Sequence, residues 1–300
     1  MTSHAPPDPA ETTPAEPLRL LCEAAGVPRW GLPAPLAEAY AGDLGFTLPC
    51  TYANFVTSLD GVVALGPEYP SSGSAISGGD DADRFVMGLL RACADAVLIG
   101  AGTLRATPGH RWTPGHACPA AADGFAAMRR SLRRAAEPEL VVVTARGDLP
   151  AGHPALQAGA LVTTTTAGAR RLAGRLPSAC TVLAVAEGPA LRMSGVLAAI
   201  RDRGHAAVLT EGGPRLLGHL LGEDLLDEVF LTIAPVLAGR AGTDRPGLIA
   251  GLALLPGRLE RAEMISTRRR GSYLFLRYRL QRTHYQGREV ADSVRLGDGQ

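Results

Sequence analysis

Two strand-to-helix turns in this chain of 300 residues carry residue types that can cradle an anion. In "VLIGAGTLR" (97–105) an apolar strand runs into Gly100-Ala101-Gly102-Thr103. Glycines at a strand end let backbone N–H groups approach a phosphate, and Thr103 adds a hydroxyl that can cap the following turn. Arg105 stands where a G-x-G-x-x-G fingerprint needs its third glycine, and no G-K-[ST] follows, so this is neither that fingerprint nor a Walker A loop. Alone it reads equally well as an ordinary tight turn. In "TEGGPRLL" (210–217), Gly212 and Gly213 precede Pro214, a good first helical residue. The helix start Pro214-Arg215-Leu216-Leu217 presents free N–H groups and the positive end of a helix dipole. Two such turns at the C-terminal ends of neighbouring strands can hold the two phosphates of one pyrophosphate, which is where open α/β sheets bind ligands.

Other residues could complete a site. "NFVTSLDGVVA" (54–64) ends a strand in a polar turn with Thr57, Ser58 and Asp60-Gly61, which is also a generic loop signal. Arg91, late in a helix, is either a surface charge favoured by the dipole or a clamp for a substrate phosphate. "VVVTARGDL" (141–149) places Thr144 and Arg146 after a strand; a hydroxyl and a guanidinium there suit a ribose 2′-phosphate, hence NADP rather than NAD. His110, His116 and Cys118 match no standard zinc spacing, and no metal is expected. The G-x-S-x-G nucleophile elbow and the zinc-deaminase signature are absent.

The elements that position these residues alternate. Strands are expected at 51–57, 95–100, 140–144, 160–165, 181–186 and 206–210, as short, β-branched apolar runs. Helices are expected between them at 80–94, 123–136, 167–176, 192–204 and 214–224. Repeated strand and helix predict an α/β fold with parallel strands and right-handed crossovers. The end differs: strands at 226–237, 259–270 and 272–280, the last two a hairpin turning near Arg270-Gly271, predict an antiparallel edge. Residues 1–17 read as a disordered tail, 18–47 as an N-terminal helical extension ("LRLLCEAAG", "PLAEAYAGDLG"), 48–282 as the main domain and 283–300 as a flexible C-terminal tail. The arginines of 268–270 and 129–134 are expected to be solvated.

Composition bounds the function. With 46% hydrophobic and 20% charged residues the chain is ordinary for a globular protein, and a net charge of +1 makes no case for nucleic acid or an anionic membrane. The five cysteines are scattered and read as reduced thiols. No secretory signal and no apolar run of about 18 residues is present, so a cytoplasmic protein is expected.

Taken in order, "NFVTSLDGVVA", "DRFVMGLLRACADAVLIGAGTLRA", "VVVTARGDLP", "VLTEGGPRLLGHLL" and "DEVFLTIAPVLAGR" resemble the reductase half of the bifunctional riboflavin-biosynthesis deaminase–reductase, the RibD C-terminal family, over residues 50–280 and without the deaminase module. The resemblance implies a dihydrofolate-reductase-like fold: a mixed, mostly parallel sheet flanked by helices. It implies NADPH touching Thr57, Gly100, Gly102, Thr103, Thr144, Arg146, Gly212, Gly213 and the helix start Pro214, Arg215, Leu216 and Leu217. Ser58, Arg91 and Glu211 would line the substrate, with Arg91 on its phosphate and Glu211 on its pyrimidine. Asp60 is the candidate for orienting or handling a proton. The implied reaction reduces 5-amino-6-(5-phosphoribosylamino)uracil, a small phosphorylated pyrimidine, to the ribitylamino product, in a homodimer. Two positions depart from the pattern: Thr107 stands where the family has a carboxylate, and Ser77 where the bifunctional enzymes have a tryptophan. They leave open a reductase of the same fold acting on another pyrimidine or a pterin, or a catalytically silent nucleotide-binding protein.

Overall fold

The computed structural model describes residues 16–66, 69, 71–240 and 245–281. The expected tails 1–17 and 283–300 therefore lie outside the described residues, apart from 16 and 17. The strands are β1 (Arg19–Glu23), β2 (Cys50–Thr57), β3 (Ala96–Gly100), β4 (Glu139–Thr144), β5 (Leu161–Thr165), β6 (Thr181–Ala186), β7 (Ala207–Thr210), β8 (Glu228–Ile233), β9 (Arg261–Arg270) and β10 (Tyr273–Gln281). The helices are α1 (Ala34–Tyr40), α2 (Ser72–Ser77), α3 (Asp81–Cys93), α4 (Ala101–Ala106), α5 (Pro114–Ala117), α6 (Ala122–Ser131), α7 (Pro154–Gln157), α8 (Thr166–Leu172), α9 (Met193–Arg201) and α10 (Pro214–Gly222).

All the described strands join one sheet in the order β1-β9-β10-β8-β2-β7-β3-β4-β5-β6. From β8 to β6 every pairing is parallel, whereas β10 on β8, β9 on β10 and β1 on β9 are antiparallel. The mixed sheet with an antiparallel edge is thus the one expected. β3 shows why its residues must be apolar throughout. Val97 and Ile99 enter the core under α3 and α6, and Ala96 and Leu98 enter the opposite core under α9 and α10. A strand buried on both faces alternates between two cores, with no polar side.

α3 is the helix that matters for the site. Asp80 caps it by accepting the Asp83 N–H at 3.0 Å, and its apolar face, including Phe85, Leu89 and Leu90, is fully buried. Each such side chain contributes about 1.5–3 kcal/mol of burial. At its other end the Arg129 guanidinium donates to the carbonyls of Arg91, Ala92 and Ala94, satisfying acceptors that a helix C-terminus leaves open. Arg129 is therefore buried, not solvated as expected.

The N-terminal extension also differs from expectation. "RLLCE" forms β1 instead of a helix, because β9 offers an edge of unpaired backbone groups and so short a helix has little stability of its own. Its Glu23 binds Arg268 at 3.0 Å, and Arg268 lies over the Tyr40 ring at 3.8 Å. Arg268 is buried and Arg270 bonds Asp80 and Asp81, so of the arginine run only Arg269 is exposed as expected. Leu18, Leu36, Leu44 and Phe46 sit in the same core as Phe85, so residues 18–47 and the main domain share one interior.

Candidate active site

Strand lengths create a slot. β7 has only 4 residues, and it pairs with Cys50–Ala53 of β2 and with Ala96–Leu98 of β3. Above Thr210 the two neighbours continue with no strand between them: Asn54–Thr57 on one side, Ile99 and Gly100 on the other. The Glu211-Gly212-Gly213 turn floors this opening, held by the Glu211 N–H on Leu98 O at 3.2 Å. A break in the sheet beyond the carboxyl ends of parallel strands is where such folds accept ligands.

On the β3 side, the two glycine turns meet. Gly213 N–H donates to Thr103 Oγ1 at 3.1 Å, joining the start of α10 to the first turns of α4. Thr103 thus ties the second turn instead of capping its own helix, whose N-cap is Gly100. A Cβ added at Gly100 or Gly102 would meet nothing within 4 Å, and at Gly213 only Thr103 Oγ1 at 3.8 Å. Protein packing therefore does not require glycine at these positions, whereas close approach of a phosphate to the backbone would. Gly212 is different, since its Cβ would stand 2.3 Å from Leu216 Cδ2. The cradle fits a pyrophosphate.

The remaining cofactor-side residues divide. Arg215 and Arg146 are exposed at the α10 start and after β4, with no side-chain hydrogen bond or ion pair to the described residues. Thr144 accepts the Gly147 N–H at 3.1 Å, shaping the turn that carries Arg146. Leu216 and Leu217 are buried. Their side chains are in the two cores beneath α10, and their N–H groups donate to Gly213 O. Thr57 is buried, its hydroxyl donating to Ser58 O at 3.0 Å.

On the floor of the slot stands an ion pair that sequence spacing did not reveal. Arg91 Nη2 lies 2.6 Å from Glu211 Oε2 and its Nε 3.0 Å from Oε1, a bidentate pair with side-chain exposures of 1% and 9%. Nη1 donates to the carbonyls of Arg111 and Thr113, and Nη2 also to His110 Nε2 at 2.9 Å. The guanidinium has no donor left for a substrate phosphate, so the expected clamp is corrected: Arg91 holds Glu211, His110 and the carbonyls of Arg111 and Thr113. His110 must be neutral to accept; burial, then the Arg91 charge, pull its pKa down to about 3. Spoken for in this way, it is no metal ligand, and no group of His, Cys, Asp and Glu among the described residues is arranged to hold a metal ion. Thr107 donates to Thr103 O at 2.8 Å, and His153 Nε2 lies 3.0 Å from Thr107 O.

Asp60 is a tie between loops. Its carboxylate accepts the N–H groups of Ala238 and Gly239 at 2.9 and 2.8 Å and the Ser58 hydroxyl at 2.7 Å. The Ala238 amide, then Ser58, hold its pKa at about 2. It carries no proton to give at neutral pH, which removes it as an acid. The sign is that of a depressed carboxyl: the tie is present above the ordinary carboxylate range and is lost as pH falls through about 2. Asp60→Ala is expected to accelerate amide hydrogen exchange at Ala238 and Gly239 at pH 7, while exchange in β3 stays unchanged; unaltered exchange at both amides would contradict this role.

Comparison with known proteins now decides the family. The RibD C-terminal domain model matches residues 49–267. The chain belongs to the RibD C-terminal domain family. This covers most of the stretch on which the motifs resembled it. Among solved structures, a pyrimidine reductase-like protein from Corynebacterium diphtheriae aligns with a TM-score of 0.59 at 20% identity, covering 84% of this chain and 96% of that one. The riboflavin biosynthesis reductase of Saccharomyces cerevisiae gives 0.53 at 17%, covering 82% and 98%. The Thermotoga maritima diaminohydroxyphosphoribosylaminopyrimidine deaminase/5-amino-6-(5-phosphoribosylamino)uracil reductase gives 0.57 at 19%, covering 77% of this chain and 56% of that protein. At these identities the structures show a shared fold. No curated protein matches the chain. No described helix is long and apolar enough to cross a membrane.

Proposed function

We propose that this protein is an NADPH-dependent reductase that converts 5-amino-6-(5-phosphoribosylamino)uracil to its ribitylamino product in riboflavin biosynthesis. The observation that carries the reading is the junction of the two glycine turns, Gly213 N–H on Thr103 Oγ1, beside the slot that a short β7 opens. Gly100, Gly102, Gly213 and the α10 start would hold the pyrophosphate, and exposed Arg146 would meet the 2′-phosphate. When bound, NADPH supplies the hydride that reduces the sugar carbon C1′.

The chain's own residues bind, orient and exclude water. Glu211, fixed by Arg91, has no rotational freedom left and would accept hydrogen bonds from the pyrimidine's N–H groups. Ser58 and Thr57 would close the β2 side. The resemblance extends the proposal to a cytoplasmic homodimer.

One observation favours a second reading, the same chemistry on another pyrimidine or a pterin. Arg91 is committed to Glu211, and Thr107 is tied back to Thr103, so neither is available for the ribose phosphate side. The cofactor half is tested directly. NADPH at 100 times its Kd should raise the unfolding free energy by about 2.7 kcal/mol, with NADH needing a much higher concentration. Equal protection by NADH would remove Arg146 from the reading, and no protection by either would overturn it.

A further inference from the structure

Among the described residues, Asp83 and Glu228 are the most deeply buried carboxyl residues, at 6% and 4% exposed. Glu228 is neutralised by Arg277 at 2.7 Å. Asp83 has no ion pair among the described residues. Its neighbours are hydroxyls and other carboxylates: Thr232 of β8 and Ser77 at the end of α2 hydrogen-bond to it, and the charges of Asp80 and Glu211 act on it. The nearby cation Arg270 is spent on Asp80 and Asp81, and Arg91 on Glu211. The Tyr273 hydroxyl donates to Ser77 O at 2.9 Å. Nor does Asp83 close a capping box at the start of α3, because the Asp80 N–H it would accept donates to Ser77 O instead.

A carboxyl kept out of water without a cation is costly unless it stays protonated. Burial, the largest cause, with Asp80 and Glu211 adding to it against the two hydroxyls, raises its pKa to about 6. Its position ties it to the slot. Thr232 is paired with Val56, in the part of β2 that has no partner on the β7 side, and Glu211 is the slot's floor. α3 thus supplies both the cation that fixes Glu211 and, two turns earlier, a buried carboxyl that feels the Glu211 charge.

The reaction proposed above needs an acid. Reduction of a ribosylamine consumes one proton besides the hydride. The C1′–O4′ bond breaks, its electron pair goes to O4′, and O4′ takes the proton. The nitrogen lone pair meanwhile closes a C1′=N bond. The hydride pair forms the new C1′–H bond, and the π pair returns to nitrogen.

We propose that Asp83 is the catalytic acid that delivers this proton to the sugar ring oxygen, with Ser77 and Thr232 orienting its carboxyl. The assignment rests on the reductase reading.

Two measurements on the full chain test it. In the protein without ligand, the Asp83 carboxyl carbon, assigned by its loss in Asp83→Asn, should titrate by NMR near neutrality; a midpoint below about 4, an ordinary carboxylate value, overturns the proposal whatever the substrate. With NADPH and the ribosylaminouracil phosphate, Asp83→Asn should lower kcat about 100-fold or more and abolish the decline of wild-type kcat with rising pH, while the Kd for NADPH stays within about twofold. Asparagine keeps partners for Ser77 and Thr232, so the fold should survive, as circular dichroism would show. Turnover by Asp83→Asn with the wild-type pH profile overturns the acid role alone. Absence of turnover by the wild type overturns the substrate reading and the acid role with it.

Discussion

Arg91→Ala should lower the free energy of unfolding by about 3–5 kcal/mol, the loss expected when one partner of a buried ion pair is removed. The variant leaves the Glu211 carboxylate without its cation and the Arg111 and Thr113 carbonyls without donors. It also frees His110, which accepts from the same guanidinium. Arg91→Lys should recover little, because an ammonium cannot reproduce a planar fork spanning two carboxylate oxygens and two carbonyls. Urea denaturation checks the result. A loss below about 1 kcal/mol, combined with a raised KM for the phosphorylated substrate, would return Arg91 to the clamp role that its place on the helix first suggested.

Gly213→Ala should do the opposite: fold normally and lose the cofactor. Gly213 has φ of −68°, which alanine adopts freely, and its added Cβ would meet only Thr103 Oγ1 at 3.8 Å. Stability should change by less than about 1 kcal/mol. A methyl at the mouth of the cradle should raise the Kd for NADPH about 10–100-fold, or about 1.4–2.8 kcal/mol. Fluorescence titration of NADPH measures it. Unchanged affinity would mean that the pyrophosphate does not lie against the start of α10. Gly212 cannot serve as the probe, because alanine there collides with Leu216.

The contrast between these two sites shows what the sequence makes legible. The glycine turns are local signals, and the alternation around them reports a mostly parallel sheet because both-face burial requires apolar strands. Arg91 was visible as a residue but not in its role. Its partner is 120 positions away, and only folding brings an arginine on α3 against the end of β7. Arg268 is illegible for the same reason, since its partners Glu23 and Tyr40 lie on β1 and at the end of α1. β1 itself has the local pattern of a helix, and the demand for a strand comes from the open edge of β9. Asp83 gave no signal beyond an acidic residue in a first helical turn, where carboxylates are common. Its burial and lack of a cation are properties of the packed α2–α3–β8 junction. Asp60 reads in sequence as a loop carboxylate, and its bridge to Ala238 and Gly239 appears only in the fold.

The central claim is that the slot above β7 reduces a ribosylaminouracil phosphate with NADPH. The most direct test is NADPH oxidation by the full chain, followed by absorbance, with that substrate and with dihydrofolate in parallel. The account predicts turnover of the ribosylaminouracil phosphate, formation of the ribitylamino product and no turnover of dihydrofolate. Turnover of dihydrofolate alone, or of neither, would contradict it.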